Sequence, residues 1–192
     1  MIFLVFFFAE GCSTVKRGNE GKTEIPYFLL SRRPCHRGKL PRFLTFSLPA
    51  GSRSSMAAKP KIAVVGAGAI GSLLAAIWLR AGEDVTLVVR PGRVEALLAS
   101  GLRASGIAGS FHVTPKVAAE IPPDTVIAVF TMKSQDLAEA CRMHKPHLRK
   151  AAFIAAQNGV RAPEIVAAEL GISPVSAILL LNASSLAPGE VS

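Results

Sequence analysis

The strongest chemical signature in this chain is three glycines in the run Gly66-Ala67-Gly68-Ala69-Ile70-Gly71. They follow a compact apolar segment, Lys61–Val65, and open a helix-like stretch that runs to about Ala81. A strand that turns through G-x-G-x-x-G into a helix is suited to holding the pyrophosphate of a dinucleotide. Each glycine answers a separate demand. Gly66 allows the tight turn off the strand, Gly68 lets backbone approach the phosphates, and Gly71 lets the helix pack closely on the sheet. The helix start then offers unpaired N–H groups and the positive end of its dipole to an anion. The six-residue pattern alone is a weak signal, and its place between strand and helix gives it weight.

Three further polar positions close later strand-like runs. The second run, Asp84–Val89, ends at Arg90-Pro91-Gly92-Arg93. A carboxylate at such a strand end would receive a ribose 2′-hydroxyl, but Asp84 opens the strand instead of closing it. Arg90, with Arg93 nearby, can fork onto a 2′-phosphate through charge-assisted bonds, which favours NADP(H) over NAD(H). Lys133, in Thr131-Met132-Lys133-Ser134, closes the run Thr125–Thr131, where a lysine suits a cofactor phosphate or a substrate carboxylate; Ser134 is a candidate helix cap. Asn158, in Gln157-Asn158-Gly159-Val160, closes Ala151–Ala156. Asn-Gly is first a turn signal, and its amide is also able to bond a nicotinamide ribose or a substrate hydroxyl.

The elements that must position these residues alternate along the chain. Apolar runs at Lys61–Val65, Asp84–Val89, Thr125–Thr131, Ala151–Ala156 and Val175–Leu181 read as strands. The segment from the glycine turn to about Ala81, together with Gly92–Ser100, Gln135–Leu148 and Ala162–Leu170, has helical spacing. Leu102–Ile107 and Phe111–Thr114 suggest a hairpin or two edge strands. Strands alternating with helices predict an α/β fold, a doubly wound, mostly parallel sheet of Rossmann type with right-handed crossovers. Ligands of such sheets bind beyond the carboxyl ends of the strands, where the glycine turn, Arg90, Lys133 and Asn158 all fall.

Charge and cysteine use narrow the function classes. The net charge is +9, but residues 1–55 hold nine Lys/Arg against three Asp/Glu, whereas residues 56–192 hold thirteen against ten. The basicity therefore lies mainly in the leader, and residues 56–192 show no basic stripe with interleaved aromatics, so a nucleic-acid partner is not expected. Cys12, Cys35 and Cys141 form no CxxC and no metal-ligand spacing, which suits reduced thiols in a cytoplasmic protein and predicts no metal. His144 and His147, on either side of Pro146, read as surface or capping residues at a helix end. Residues 1–55 read as a disordered basic extension. The apolar run Ile2–Ala9 is far shorter than the roughly 20 residues a membrane span needs, and no secretory signal pattern surrounds it. Met56 reads as the natural start of translation, with an organelle-targeting leader as the alternative.

Taken in order, the Lys61–Gly71 segment, Arg90, the Lys133 strand end and Gln157-Asn158-Gly159 resemble the ketopantoate reductases (2-dehydropantoate 2-reductases). The resemblance covers roughly residues 60–192 and extends to Ala187-Pro188-Gly189-Glu190-Val191, which is similar to that family's Pro-Gly segment. It implies NADPH-dependent reduction of a small 2-oxo acid, 2-dehydropantoate, to pantoate on the way to pantothenate and coenzyme A. It also implies a homodimer for the full-length protein. By the same carry-over, Gly66 to Gly71 hold the pyrophosphate, Arg90 the 2′-phosphate, Lys133 lines the cofactor site, and Asn158 lies near nicotinamide ribose and substrate. The family's general-acid lysine and substrate-binding glutamate come from a helical domain expected beyond Ser192, so no catalytic residue is assigned here. The alternatives are another NADP-dependent 2-hydroxyacid or sugar-phosphate dehydrogenase, or a nucleotide-sensing module that catalyses nothing.

Overall fold

The computed structural model describes residues 5–8, 59–106, 109–148, 150–179 and 182–192. Its first element, β1 (Val5–Phe8), is followed by β2 (Ile62–Val65), which turns through the glycines into α1 (Ala69–Arg80). Next come β3 (Val85–Val88), α2 (Val94–Ser100), β4 (Leu102–Ala104), β5 (Phe111–Val113) and β6 (Lys116–Ala118). The second half runs β7 (Ile127–Phe130), α3 (Ser134–His144), β8 (Ala152–Ala155), α4 (Ala162–Leu170), β9 (Val175–Leu179), β10 (Ser185–Ala187) and β11 (Glu190–Val191).

The main sheet has the order β1-β9-β8-β7-β2-β3-β6. From β9 to β6 every pairing is parallel; β1 joins β9 antiparallel, with Val5 opposite Leu179. Residues 5–8 add this edge strand; the rest of residues 1–55 lies outside the described residues. The central strands β2, β3, β7 and β8 are buried on both faces because helices cover both. Ile62 and Val64 pack with Leu73, Leu74 and Leu97, while Ala63 and Val65 pack with Leu137, Cys141 and Val166 on the other side. This double burial is why the strands read as unbroken apolar runs.

Helix α1 is apolar over most of its circumference, with Gly71 to Ala76 all buried. A helix of that kind needs cover on two sides. A second sheet, β10-β11-β4-β5, supplies the outer cover, with β4 and β5 antiparallel and β11 parallel to β4. The Arg80 guanidinium lies 4.5 Å over the Phe111 ring and ties the helix end to this sheet. The expected hairpin is therefore present, but as half of a separate sheet that the Pro188-Gly189 segment completes. No helix among the described residues is long and apolar enough to cross a membrane.

Two expectations need correction. Ser134 does not cap α3: Lys133 is the N-cap, with no side-chain cap bond, and Ser134 is the first helical residue. His144 is not a surface residue. It is 4% exposed, edge-on to Phe130, and its Nδ1 is buried without a hydrogen-bond partner. Its turn points inward because Leu137, Cys141 and His144 fall on one helix face.

Burial, reinforced by nearby His147 and only partly opposed by Glu120, holds the His144 pKa below its ordinary value. An unfolded histidine takes up its proton near pH 6.5, the folded one only at lower pH, so the unfolded state binds more protons in that window. Stability should therefore be full above about pH 6.5 and fall as the pH drops toward the folded pKa. Thermal melts between pH 7.5 and 5.5 check this, and His144→Gln should flatten the slope whatever it does to the melting temperature itself.

The joint between β2, α1 and β7 yields a second prediction. A Cβ on Gly71 would fall on the Gly66 carbonyl oxygen and crowd the Thr131 hydroxyl, both of which are fixed by hydrogen bonds. Gly71→Ala should destabilise the fold by roughly 1–3 kcal/mol or more, read as a loss of several degrees in Tm.

Candidate functional site

The strand order reverses between β2 and β7: the chain leaves β2 toward β3 and β6, and leaves β7 toward β8 and β9. A crevice at the carboxyl ends of two such strands is the general binding place of open α/β sheets. Here it is a cleft of about 290 Å³ lined by Ile70, Thr131, Met132, Lys133, Ser134, Ala156, Gln157, Asn158 and Leu179.

On the β2 side the turn is shaped by Gly66, whose φ of +106° lies where L side chains rarely go. Its N–H donates to Val88 O at 2.9 Å, continuing the β2–β3 ladder into the turn. Gly68 differs from its two partners. Its backbone is extended (φ −80°, ψ −174°), and a Cβ there would meet nothing within 4 Å. The fold does not require glycine at this position, which leaves open space directly over the helix start. The first closing bond of α1 runs from Ser72 N to Gly68 O at 2.9 Å, so the amides of Ala69, Ile70 and Gly71 have no acceptor within the helix. Gly68 offers no side-chain cap, and the first turn carries no acidic residue. This end of α1 is thus free to receive an anion.

Arg90 lies two residues beyond β3, the strand whose last residue, Val88, accepts from the glycine turn, and is exposed. Arg93 lies one short turn further on, its N–H donating to Arg90 O at 2.9 Å, and is also exposed. Asp84 sits at the opposite end of β3, 2.7 Å from Lys116 Nζ, away from the cleft as the sequence indicated.

On the β7 side, Thr131 makes the contact that closes the cleft floor. Its hydroxyl lies 3.0 Å from both Val65 O and Gly66 O, sharing its single proton between them. Gln157, 7% exposed, donates from Nε2 to Phe130 O at 2.9 Å and to Met132 O at 3.1 Å. Lys133 is exposed beside this segment at the start of α3. No carboxylate lines the cleft, so its one charged lining side chain is a cation. Thr131 and Gln157 were not singled out from the sequence. The available signal was a polar residue immediately after an apolar strand, which marks a buried donor with backbone to satisfy.

Asn158 stands where expected but is already engaged. Its Nδ2 donates to Leu179 O at 3.2 Å and its Oδ1 accepts from Leu179 N at 3.1 Å. The side chain thereby continues the β8–β9 ladder past the strand ends. One amide hydrogen and one lone pair remain for any ligand. Cys141, by contrast, is a core residue of α3, where burial pushes its thiol up to about 11, and it takes no part in the site.

The sequence model of the family "Ketopantoate reductase PanE/ApbA" matches residues 62–192. A 2-dehydropantoate 2-reductase of Pyrococcus horikoshii is 35% identical over 134 residues, which are 68% of this chain and 43% of that protein. A crystal structure of a PanE/ApbA family ketopantoate reductase from Ralstonia eutropha JMP134 matches with a TM-score of 0.62 at 29% identity, over 68% of this chain and 45% of that one. A D-mandelate dehydrogenase solved with NADH and anilino(oxo)acetate reaches the same TM-score at 19% identity, over 68% of this chain and 44% of that one, a likeness of fold alone. The chain spans less than half the length of these relatives. The match runs from the first strand of the glycine turn through the cleft to the second sheet, and on that basis the chain belongs to the ketopantoate reductase PanE/ApbA family.

Proposed function

We propose that residues 56–192 form the NADP(H)-binding unit of a cytoplasmic 2-dehydropantoate 2-reductase. The observation that carries this reading is the uncapped, uncharged start of α1 opening onto the cleft, with exposed Arg90 beside it at the end of β3. The bound nicotinamide would supply the hydride that turns the 2-oxo group of the substrate into a hydroxyl. The chain's own residues bind and orient. The amides at the start of α1 receive the pyrophosphate, with Gly66, Ala67, Gly68, Ala69, Ile70 and Gly71 forming the turn around it. Open space over Gly68 lets the phosphates approach to hydrogen-bond distance. Arg90, with Arg93 as its neighbour, forks onto the 2′-phosphate. Lys133 presents its ammonium to an anionic group in the cleft. Asn158 uses its remaining hydrogen or lone pair on the nicotinamide ribose or the substrate hydroxyl, while its Leu179 bonds keep it in place.

Fluorescence titrations of NADPH and NADH test the cofactor reading. The protein should bind NADPH more tightly, and Arg90→Ala should weaken NADPH about ten- to a hundredfold while barely changing NADH. An equal loss for both would overturn the 2′-phosphate assignment. Gly68→Ser separates binding from folding: serine is a good N-cap, so Tm should hold or rise slightly, while both dinucleotides bind more weakly because the new hydroxyl occupies the phosphate's place and its amide.

The substrate reading is tested by steady-state NADPH oxidation. NADPH oxidation should be much faster with 2-dehydropantoate than with 2-oxoisovalerate, which lacks the hydroxymethyl group. Equal rates with both 2-oxo acids would remove the substrate assignment and leave the cofactor assignment standing.

A further inference from the structure

The side chain of Gln157 is almost fully buried at the end of β8, yet it reaches across to the neighbouring strand end. Its two amide hydrogens are both used on backbone carbonyls, those of Phe130 and Met132. Because both neighbours can only accept, the amide must face them with its nitrogen. The Met132 carbonyl belongs to the peptide unit whose nitrogen is that of Lys133, so this bond fixes the plane of the peptide that carries Lys133. The same short segment is held from its other side by the Thr131 hydroxyl on Gly66 O. Lys133 itself is the N-cap of α3 with no side-chain cap bond; the helix start holds its carbonyl, which accepts from Asp136 N at 3.0 Å, and leaves the peptide on its N-terminal side to Gln157. On the far side of the amide, Gln157 Oε1 is buried without a partner, a cost the fold carries at this position.

We propose that Gln157 is a positioning residue of the cofactor cleft: its amide holds the Met132–Lys133 peptide so that the Lys133 ammonium meets the bound dinucleotide. The proposal rests on the reading of the cleft as an NADP(H) site and on the place of Lys133 in it. Gln157 acts through Lys133 and need not touch the ligand. An apolar side chain of the same length would fill the space yet leave the Phe130 and Met132 carbonyls with fewer donors, freeing the peptide to rotate.

A double-mutant cycle on NADPH affinity tests this. Gln157→Met and Lys133→Ala should each weaken binding about tenfold, and the double variant should be no weaker than the worse single one. Losses that multiply to about a hundredfold would show that Gln157 acts independently of Lys133 and would overturn the proposal. If Lys133→Ala has no effect while Arg90→Ala still costs affinity, the cofactor site stands and the Gln157 proposal fails. If neither variant changes NADPH binding, the cofactor reading itself fails. Gln157→Glu gives a second readout that a purely structural role would not move. Ionised, it sets a carboxylate against two carbonyl oxygens; protonated, it donates to one of them. NADPH affinity of Gln157→Glu, relative to the unaltered protein, should therefore recover several-fold as the pH is lowered from 8 to 5.5. A pH-independent ratio would count against the proposal.

Discussion

The site depends on one close approach: the start of α1 against the ends of β2 and β7. Gly71 sits so near the Gly66 carbonyl that no side chain fits between, and the Thr131 hydroxyl binds that carbonyl from the neighbouring strand. Two backbones that must lie this close leave no room for adjustment elsewhere. The helix start is fixed against the sheet, and the space over Gly68 beside it stays open. The positive φ of Gly66 is the conformational cost of making that turn in so few residues.

From this joint a row of hydrogen bonds runs across the carboxyl ends of the strands. Val88 accepts from Gly66, Gly66 and Val65 accept from Thr131, Phe130 and Met132 accept from Gln157, and Asn158 exchanges two bonds with Leu179. These are the places where a parallel ladder runs out and leaves backbone groups unpaired near an opening. Side chains take over the ladder's work there, because a buried or half-buried carbonyl without a donor is costly. The outcome is a rigid floor. A ligand met by such a floor loses less to reorganisation than one that must order it on binding.

The apolar bulk of the chain serves this floor indirectly. Strands buried on both faces fix the sheet, and α1, enclosed between the main sheet and the β10-β11-β4-β5 sheet, cannot shift along its axis without exposing Leu73 and Leu74 or losing the Arg80–Phe111 contact. The opposite face, with Phe130 stacked at 4.4 Å on Phe153 and edge-on to His144, anchors the strand that ends in Thr131. Packing thus sets where Thr131 stands, and Thr131 sets the turn.

Much of this was legible in the chain itself. Double-sided burial writes strands as apolar runs, so β2, β3, β7, β8 and β9 could be placed, and α4 was read to the residue. The glycine spacing reports a local backbone requirement, and Arg90 lies beyond a strand whose end is visible in the sequence. What escaped has a common cause. Lys116–Ala118 is only three residues long and follows a proline, so its strand character comes from pairing with β3 and not from its own pattern. The β10–β11 pair likewise exists because β4 offers it an edge. Thr131 and Gly66 are 65 residues apart, and Gln157 and Phe130 are 27 apart; no local propensity links them. The sequence by itself determined the alternation of strands and helices, the glycine turn and a basic residue past the second strand's end. Only the tertiary structure decided the strand order, which puts Thr131 beside Gly66 and Gln157 beside Met132. The physical reason is that hydrogen bonds between distant segments are set by strand order and register, which side-chain types at single positions do not specify.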